Sequence, residues 1–194
     1  MSLLRTLFSK DSSKAATPAP ARPGLPVVRG DHHPLSPVIC AWLDAQVAAV
    51  EGVQPANLAQ LQAQARRSIQ MGGDAAALSR VLRDAGGLPA KVASLAAQDL
   101  ILRTRPRVER ERQLALEIER ATWLHSGAPC MVDPKHPTDD DRRQDAAHRQ
   151  ANGAVYSLAQ GLVIDGRPTW PGFDRGCRCI ARVQLPTLLT PSEN

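Results

Sequence analysis

Three cysteines and a histidine in this chain are of the types that hold a soft or borderline metal ion: Cys130, His148, Cys177 and Cys179. Zinc takes thiolate sulfur and imidazole nitrogen at the corners of a tetrahedron, and four such ligands complete a structural site. The spacing is unusual for that purpose. Two of the ligands form the triplet Cys177-Arg178-Cys179 in place of a Cys-X2-Cys knuckle, and Cys130 and His148 stand well upstream. His125, His136 or Asp133 offer substitutes for Cys130. The competing assignment is a set of buried thiols, with a histidine that hydrogen-bonds the turn from Trp123 to Gly127 or the final strand. On the sequence alone that assignment is preferred, so no cofactor is expected and zinc is the alternative. It carries a corollary: one thiol of the Cys-X-Cys pair lies inside and the other is exposed and dispensable. A disulfide within the triplet is geometrically awkward.

A second chemistry would use His148 with Asn152, an imidazole and an amide four residues apart on one helix face. A metal-dependent nuclease needs such a base together with clustered ligands, and Asp139-Asp140-Asp141 is the acidic cluster nearby. Such runs are more often helix caps or solvated loops. The chain has no Gly-rich phosphate loop, no nucleophile elbow and no HExxH motif. The expectation is therefore that it is not an enzyme, a nuclease or toxin-like hydrolase being the alternative. Arg178 and Arg182, placed on one face of a last strand, offer a basic rim for DNA or an acidic protein. Against this stands the plainer role of a charged edge that resists aggregation.

These residues need elements to position them. From Pro37 the chain reads as helices. Val38 to Val50 carries Ile39, Leu43 and Val47 on one face. Leu58, Leu61, Ala65 and Ile69 follow, and Asp74 caps a helix with Leu78, Val81, Leu82 and Ala85 inside. Leu88-Pro89 starts another, with Val92, Leu95, Ala96 and Leu100 as its stripe. Arg105 to Arg120 alternates in sign, which predicts a solvated helix face laced with ion pairs over Leu114, Ile118 and Ala121. After Trp123 the periodicity stops. A short helix is expected from Asp141 to Gln150 and a strand at Val155 to Leu158. Leu162-Val-Ile164 and Pro168-Thr-Trp170 flank Asp165-Gly166, a hairpin signal. The last strand is expected from Cys177 to Gln184. The fold class is α+β: a helical N-terminal part, then a small, mostly antiparallel sheet with a C-terminal Cys-X-Cys strand.

Composition agrees. Of 194 residues 43% are hydrophobic but only 3% aromatic, which suits packed helices better than a strand sandwich. The net charge of +5 permits a nucleic-acid or acidic partner without requiring one. No apolar run approaches the about 20 residues that span a bilayer, so no membrane segment is expected. The opening Met1-Ser-Leu-Leu-Arg5 is too short and interrupted for a signal peptide, which implies synthesis in a reducing cytoplasm. The division expected is a disordered basic Pro/Ala-rich arm (1–36), a helical region (37–104), a C-terminal domain (105–186) and a loose tail (187–194).

That C-terminal part resembles the phage Mu F-like minor head proteins, in the order of its pieces. A charged helix runs into Trp123, followed by Leu-His-Ser-Gly127. Then come His148-Arg-Gln-Ala-Asn-Gly153, Val155-Tyr156 and Gly161-Leu-Val-Ile-Asp-Gly166. The set closes on Trp170-Pro171-Gly172 and Gly176-Cys177-Arg-Cys179. The resemblance spans Leu88 to Leu185. It implies a low-copy virion component, acting at the portal or inner capsid during head assembly and DNA packaging or delivery. Its implied partners are portal and capsid proteins and packaged double-stranded DNA.

Overall fold

Ser36 accepts a hydrogen bond from the Ile39 N–H at 3.1 Å and Pro37 follows, so helix α1 starts there and runs Pro37–Ala48. The computed structural model describes residues 34–185. Most of the arm expected over 1–36, and all of the tail expected over 187–194, therefore lie outside the described residues. A single 3-10 turn, Pro55–Asn57, leads into α2, Leu58–Gln70. Asp74 takes the Ala76 and Ala77 N–H groups on its carboxylate and starts α3, Ala75–Asp84. The long α4 spans Ala90–Ala115 and crosses the division expected at 104/105 without a break.

The first core lies among these helices. Leu43, Val47, Leu61, Ala65, Leu78 and Leu82 are fully or almost fully buried, as their spacing predicts. Each Leu or Val buried this way stabilises the fold by about 1.5–3 kcal/mol. For α4 the predicted stripe is corrected. Leu100 is buried as expected and Ala96 is partly buried, but Val92 and Leu95 are exposed, and Ala93, Ala97, Ile101 and Thr104 complete the buried face. Small alanines let α4 approach its neighbours closely, which the larger side chains would prevent.

A second correction falls at the end of α4. No helix reaches Arg120. Glu117 is left-handed (φ 57°), the Ile118 N–H reaches the Gln113 carbonyl at 3.0 Å and the Glu117 N–H reaches Leu114 at 3.0 Å. This is a Schellman ending with glutamate in the place glycine usually fills. Strand β1 then runs Arg120–Leu124. It is the centre of an antiparallel sheet, with β2 (Val155–Ser157) on one side and β5 (Ile180–Gln184) on the other. Between β1 and β2 lie a loop and α5, Asp139–Gln150. The hairpin stands as expected, β3 (Leu162–Ile164) pairing with β4 (Arg167–Thr169) around Asp165-Gly166. β5 starts at Ile180, so the Cys-X-Cys triplet precedes the strand and does not belong to it. The architecture is α+β, with a second core of Ile118, Ala121, Trp123, Cys130, Ala151, Tyr156, Leu158, Cys177 and Cys179.

The charged stretch of α4 joins the two cores, which corrects its reading as a merely solvated face. Arg107 lies between the rings of Trp42 (3.8 Å) and Phe173 (4.1 Å) and donates to the Phe173 carbonyl at 3.2 Å. Burial, then the neighbouring Arg103, lowers its pKa to about 10, still far above neutrality. Arg110 donates to the Leu158 and Ala159 carbonyls and stacks on Trp170 at 4.4 Å. Among the described residues no helix is long and apolar enough to cross a membrane.

Candidate metal centre

Helix α5 has few apolar residues, and its inner face is polar. Asp141, Gln144, Asp145 and His148 recur at i, i+3, i+4 and i+7, the spacing of one helical face. The helix is held in place at its start by a capping box: Thr138 accepts from the Asp141 N–H at 3.1 Å and the Asp141 carboxylate accepts from the Thr138 N–H at 3.0 Å. From this face α5 organises two loops. Asp145 accepts from the Cys130 N–H at 2.7 Å, and Asp141 accepts from the Val132 N–H at 3.2 Å. Gln144 donates to the carbonyls of Cys130 (3.0 Å) and Arg175 (2.9 Å), so one side chain ties both cysteine-bearing loops together.

Gly176 sets how closely those loops approach. Its φ is +74°, and a Cβ there would sit 2.5 Å from the Met131 carbonyl carbon and 2.6 Å from the Val132 nitrogen. Only glycine fits. At the other end of α5, Gly153 (φ +86°) donates its N–H to the Trp123 carbonyl at 2.8 Å and the Trp123 N–H reaches Ala154 at 2.8 Å. The indole of Trp123, fully buried, meets the His148 ring edge-on at 5.1 Å. Trp170 donates its indole N–H to the Leu158 carbonyl at 2.8 Å, and Pro171 beside it is buried.

The result is that Cys130, His148, Cys177 and Cys179 meet, all buried, with one ligand atom from each within 4.8 Å of all the others. The Cys130 and Cys179 sulfurs are 3.5 Å apart. All four cysteines of the chain, Cys40 included, are free thiols. The expectation that one thiol of the triplet is exposed is corrected: Cys177 is 7% and Cys179 5% exposed. Residues two apart along an extended chain share a side, so the pair faces inward together while Arg178 between them is exposed. Arg182 is exposed too, on the edge strand β5 opposite Thr122. Arg178 precedes that strand, so strand geometry does not place the two arginines on a common face.

Polar partners surround the cluster. The Gly172 N–H points to the Cys177 sulfur at 3.2 Å and the Arg178 N–H to the Cys130 sulfur at 3.4 Å. His148 Nε2 lies 3.5 Å from Asp174, which is itself held by Thr169 and Arg167 at 2.9 Å each. His148 Nδ1 is buried with no hydrogen-bond partner. The electrostatics fit a site for positive charge. The Cys130 thiol is pushed far below its ordinary range by hydrogen bonds from Cys177 and Cys179, and Cys179 is correspondingly raised. Burial pulls His148 down, but Asp174, Cys130 and Cys177 outweigh it and raise the imidazole to about 11. Asp174 falls to about 2: burial opposes this, and His148, Thr169 and Arg167 prevail.

The other residues weighed from sequence stand apart. Asn152 lies beyond the end of α5, and its side chain accepts from the His125 N–H at 2.9 Å. Asp139 and Asp140 are exposed in the first turn of α5, paired with Arg142 and Arg143. Asp133 and His136 are exposed outside the cluster. His125 takes the Gly127 N–H on Nδ1 at 3.0 Å and turns Nε2 to Asp145 at 3.4 Å. Sequence reasoning did not find Gln144, Asp145 or Asp174; the i, i+3, i+4, i+7 recurrence ending on His148 was the available signal for the first two. No protein-family model, curated protein or solved structure matches this chain.

Proposed function

We propose that the chain is a phage minor head morphogenesis protein, a low-copy structural component of the virion that acts at the portal or inner capsid. One observation carries this reading. The residues behind the resemblance to Mu F-like minor head proteins are scattered from Trp123 to Cys179, yet they build one centre. Trp123, His148, Gly153, Gly176, Cys177 and Cys179 all bear on it through the contacts described above. Trp170 and Pro171 flank it on the side of α4. Such a centre is a scaffold, which favours assembly over catalysis. His148 is locked against Asp174, and Asn152 and the aspartates are engaged elsewhere, so the parts of a nuclease site are dispersed. The partners are portal or capsid proteins, with Arg178 and Arg182 as exposed basic contacts to them or to packaged DNA.

Deleting the gene from the phage or prophage that encodes it tests this. Capsid shells should still form, but heads should be misassembled or poorly infectious. Normal infectivity without the chain contradicts the reading. Nicking of plasmid DNA by the purified protein with a divalent metal favours the hydrolase instead.

A further inference from the structure

We propose that Cys130, His148, Cys177 and Cys179 hold one zinc ion, as a closed four-ligand structural centre that fastens the loops around α5 to the start of β5. The inference does not depend on the minor-head reading. Its first support is distance. Zinc–sulfur bonds of about 2.3 Å at tetrahedral angles set the sulfurs about 3.8 Å apart. Cys130 and Cys179 stand at 3.5 Å, and all four ligand atoms lie within 4.8 Å. Contraction by less than about 1 Å brings the set to coordination distance.

The second support is the unpartnered nitrogen. His148 is 1% exposed and its Nδ1 has no hydrogen-bond partner. Leaving a buried imidazole nitrogen unsatisfied is costly, so the site calls for a partner there. With Nε2–H directed to Asp174, loss of the Nδ1 proton leaves that lone pair for the metal. Asp174 is thus a positioning residue of the kind that orients a zinc-bound histidine. The third support is charge. Zinc with three thiolates and a neutral imidazole carries one net negative charge, and binding releases whatever protons the three thiols and the imidazole Nδ1 still hold. The N–H groups of Gly172 and Arg178, aimed at two of the sulfurs, offset that charge. A cleft of about 590 Å³ between α4 and the loop from Trp170 to Cys179 is lined in part by Cys177 and Cys179. The rival trio His125, Cys130 and Asp145 has fewer ligands, and hydrogen bonds already engage its imidazole and carboxylate. With four protein ligands the site has no open position, so its role is folding and not Lewis-acid catalysis.

Elemental analysis and native mass spectrometry of the full chain, purified without a His-tag, test this. About one zinc per chain is expected, with the protein mass raised by zinc less the protons released. Cobalt in place of zinc should give the thiolate charge-transfer absorption of tetrahedral sulfur ligation. Cys130→Ser, Cys177→Ser, Cys179→Ser and His148→Ala should each lose most of the metal, while Cys40→Ser, in the helical part, retains it. Asp174→Asn should fold in excess zinc but bind it about 10–100-fold more weakly in competition with a chromogenic chelator. Should the ligand variants fail to fold, the wild type decides. A strong chelator should lower its melting temperature, and added zinc should restore it. Less than about a tenth of a zinc per chain, with a melting temperature indifferent to chelator and to zinc, overturns the proposal.

Discussion

Arg110→Ala removes three contacts at once, and their sizes can be worked out. The guanidinium donates to the Leu158 carbonyl at 2.6 Å and to the Ala159 carbonyl at 2.9 Å, and it stacks on Trp170 at 4.4 Å. Leu158 also accepts from the Trp170 indole at 2.8 Å, so its carbonyl is not orphaned by the change. The Ala159 carbonyl is at the exposed end, where water replaces the lost donor. The half-buried bond to Leu158 is then worth about 1–1.5 kcal/mol, the exposed one about 0.5 and the stacking about 0.5–1. Together they give a loss of about 2–3 kcal/mol. Urea unfolding of the full chain measures it: at a slope of about 2 kcal/mol/M the midpoint should fall by about 1–1.5 M. Arg110→Lys keeps the charge but not the fork, and should lose about half as much. Arg112→Ala, exposed on the same helix, is the control and should stay within about 0.5 kcal/mol. If Arg110→Ala behaves like Arg112→Ala, the helix face is only a solvated surface and the coupling of the two cores through it is wrong.

Other consequences are as specific. Thr138→Ala removes the cap of α5 and should cost about 1 kcal/mol in denaturant unfolding. The Asp141 carboxyl is held below its ordinary range, chiefly by the Thr138 N–H and then by its hydroxyl. A depressed native pKa means its contribution is complete above the unfolded value of about 3.9 and lost as pH falls through the native one. Thermal melts should therefore show Asp141→Asn less stable than wild type at neutral pH, with the gap closing in acid; a gap that widens in acid contradicts this sign. Gly176→Ala should cost on the order of 1–3 kcal/mol from φ alone, and should part the loops that carry Cys130 and Cys177. Faster reaction of those thiols with a disulfide reagent would report it, and an unchanged rate would mean that the close approach is not needed.

How much of this was readable beforehand depended on how local the signal was. The stripes Ile39-Leu43-Val47 and Leu61-Ala65-Ile69 announce their faces because apolar periodicity is a property of the segment itself, and Asp165-Gly166 carries the hairpin turn in its own backbone preference. The end of α4 was hidden because glutamate, not glycine, adopts the left-handed conformation at position 117. Its buried face is only partly legible: Leu100 announces itself, whereas Ala93 and Ala97, suited to close packing, do not stand out by hydrophobicity. The metal-ligating residues were visible as types, but their meeting was not. It depends on Gly176 admitting one loop against another, and on Gln144, Asp145 and Asp174, whose partners lie far away in sequence. Arg107 and Arg110 look solvated in the sequence for the same reason: Trp42, Phe173 and Leu158 come to them only in the fold.

The claim that this scaffold belongs to a virion is tested most directly by quantitative mass spectrometry of purified phage particles and of their assembly intermediates. This chain should be found in both, at a copy number low relative to the major capsid protein. Its absence from mature particles and from assembly intermediates alike would contradict the account.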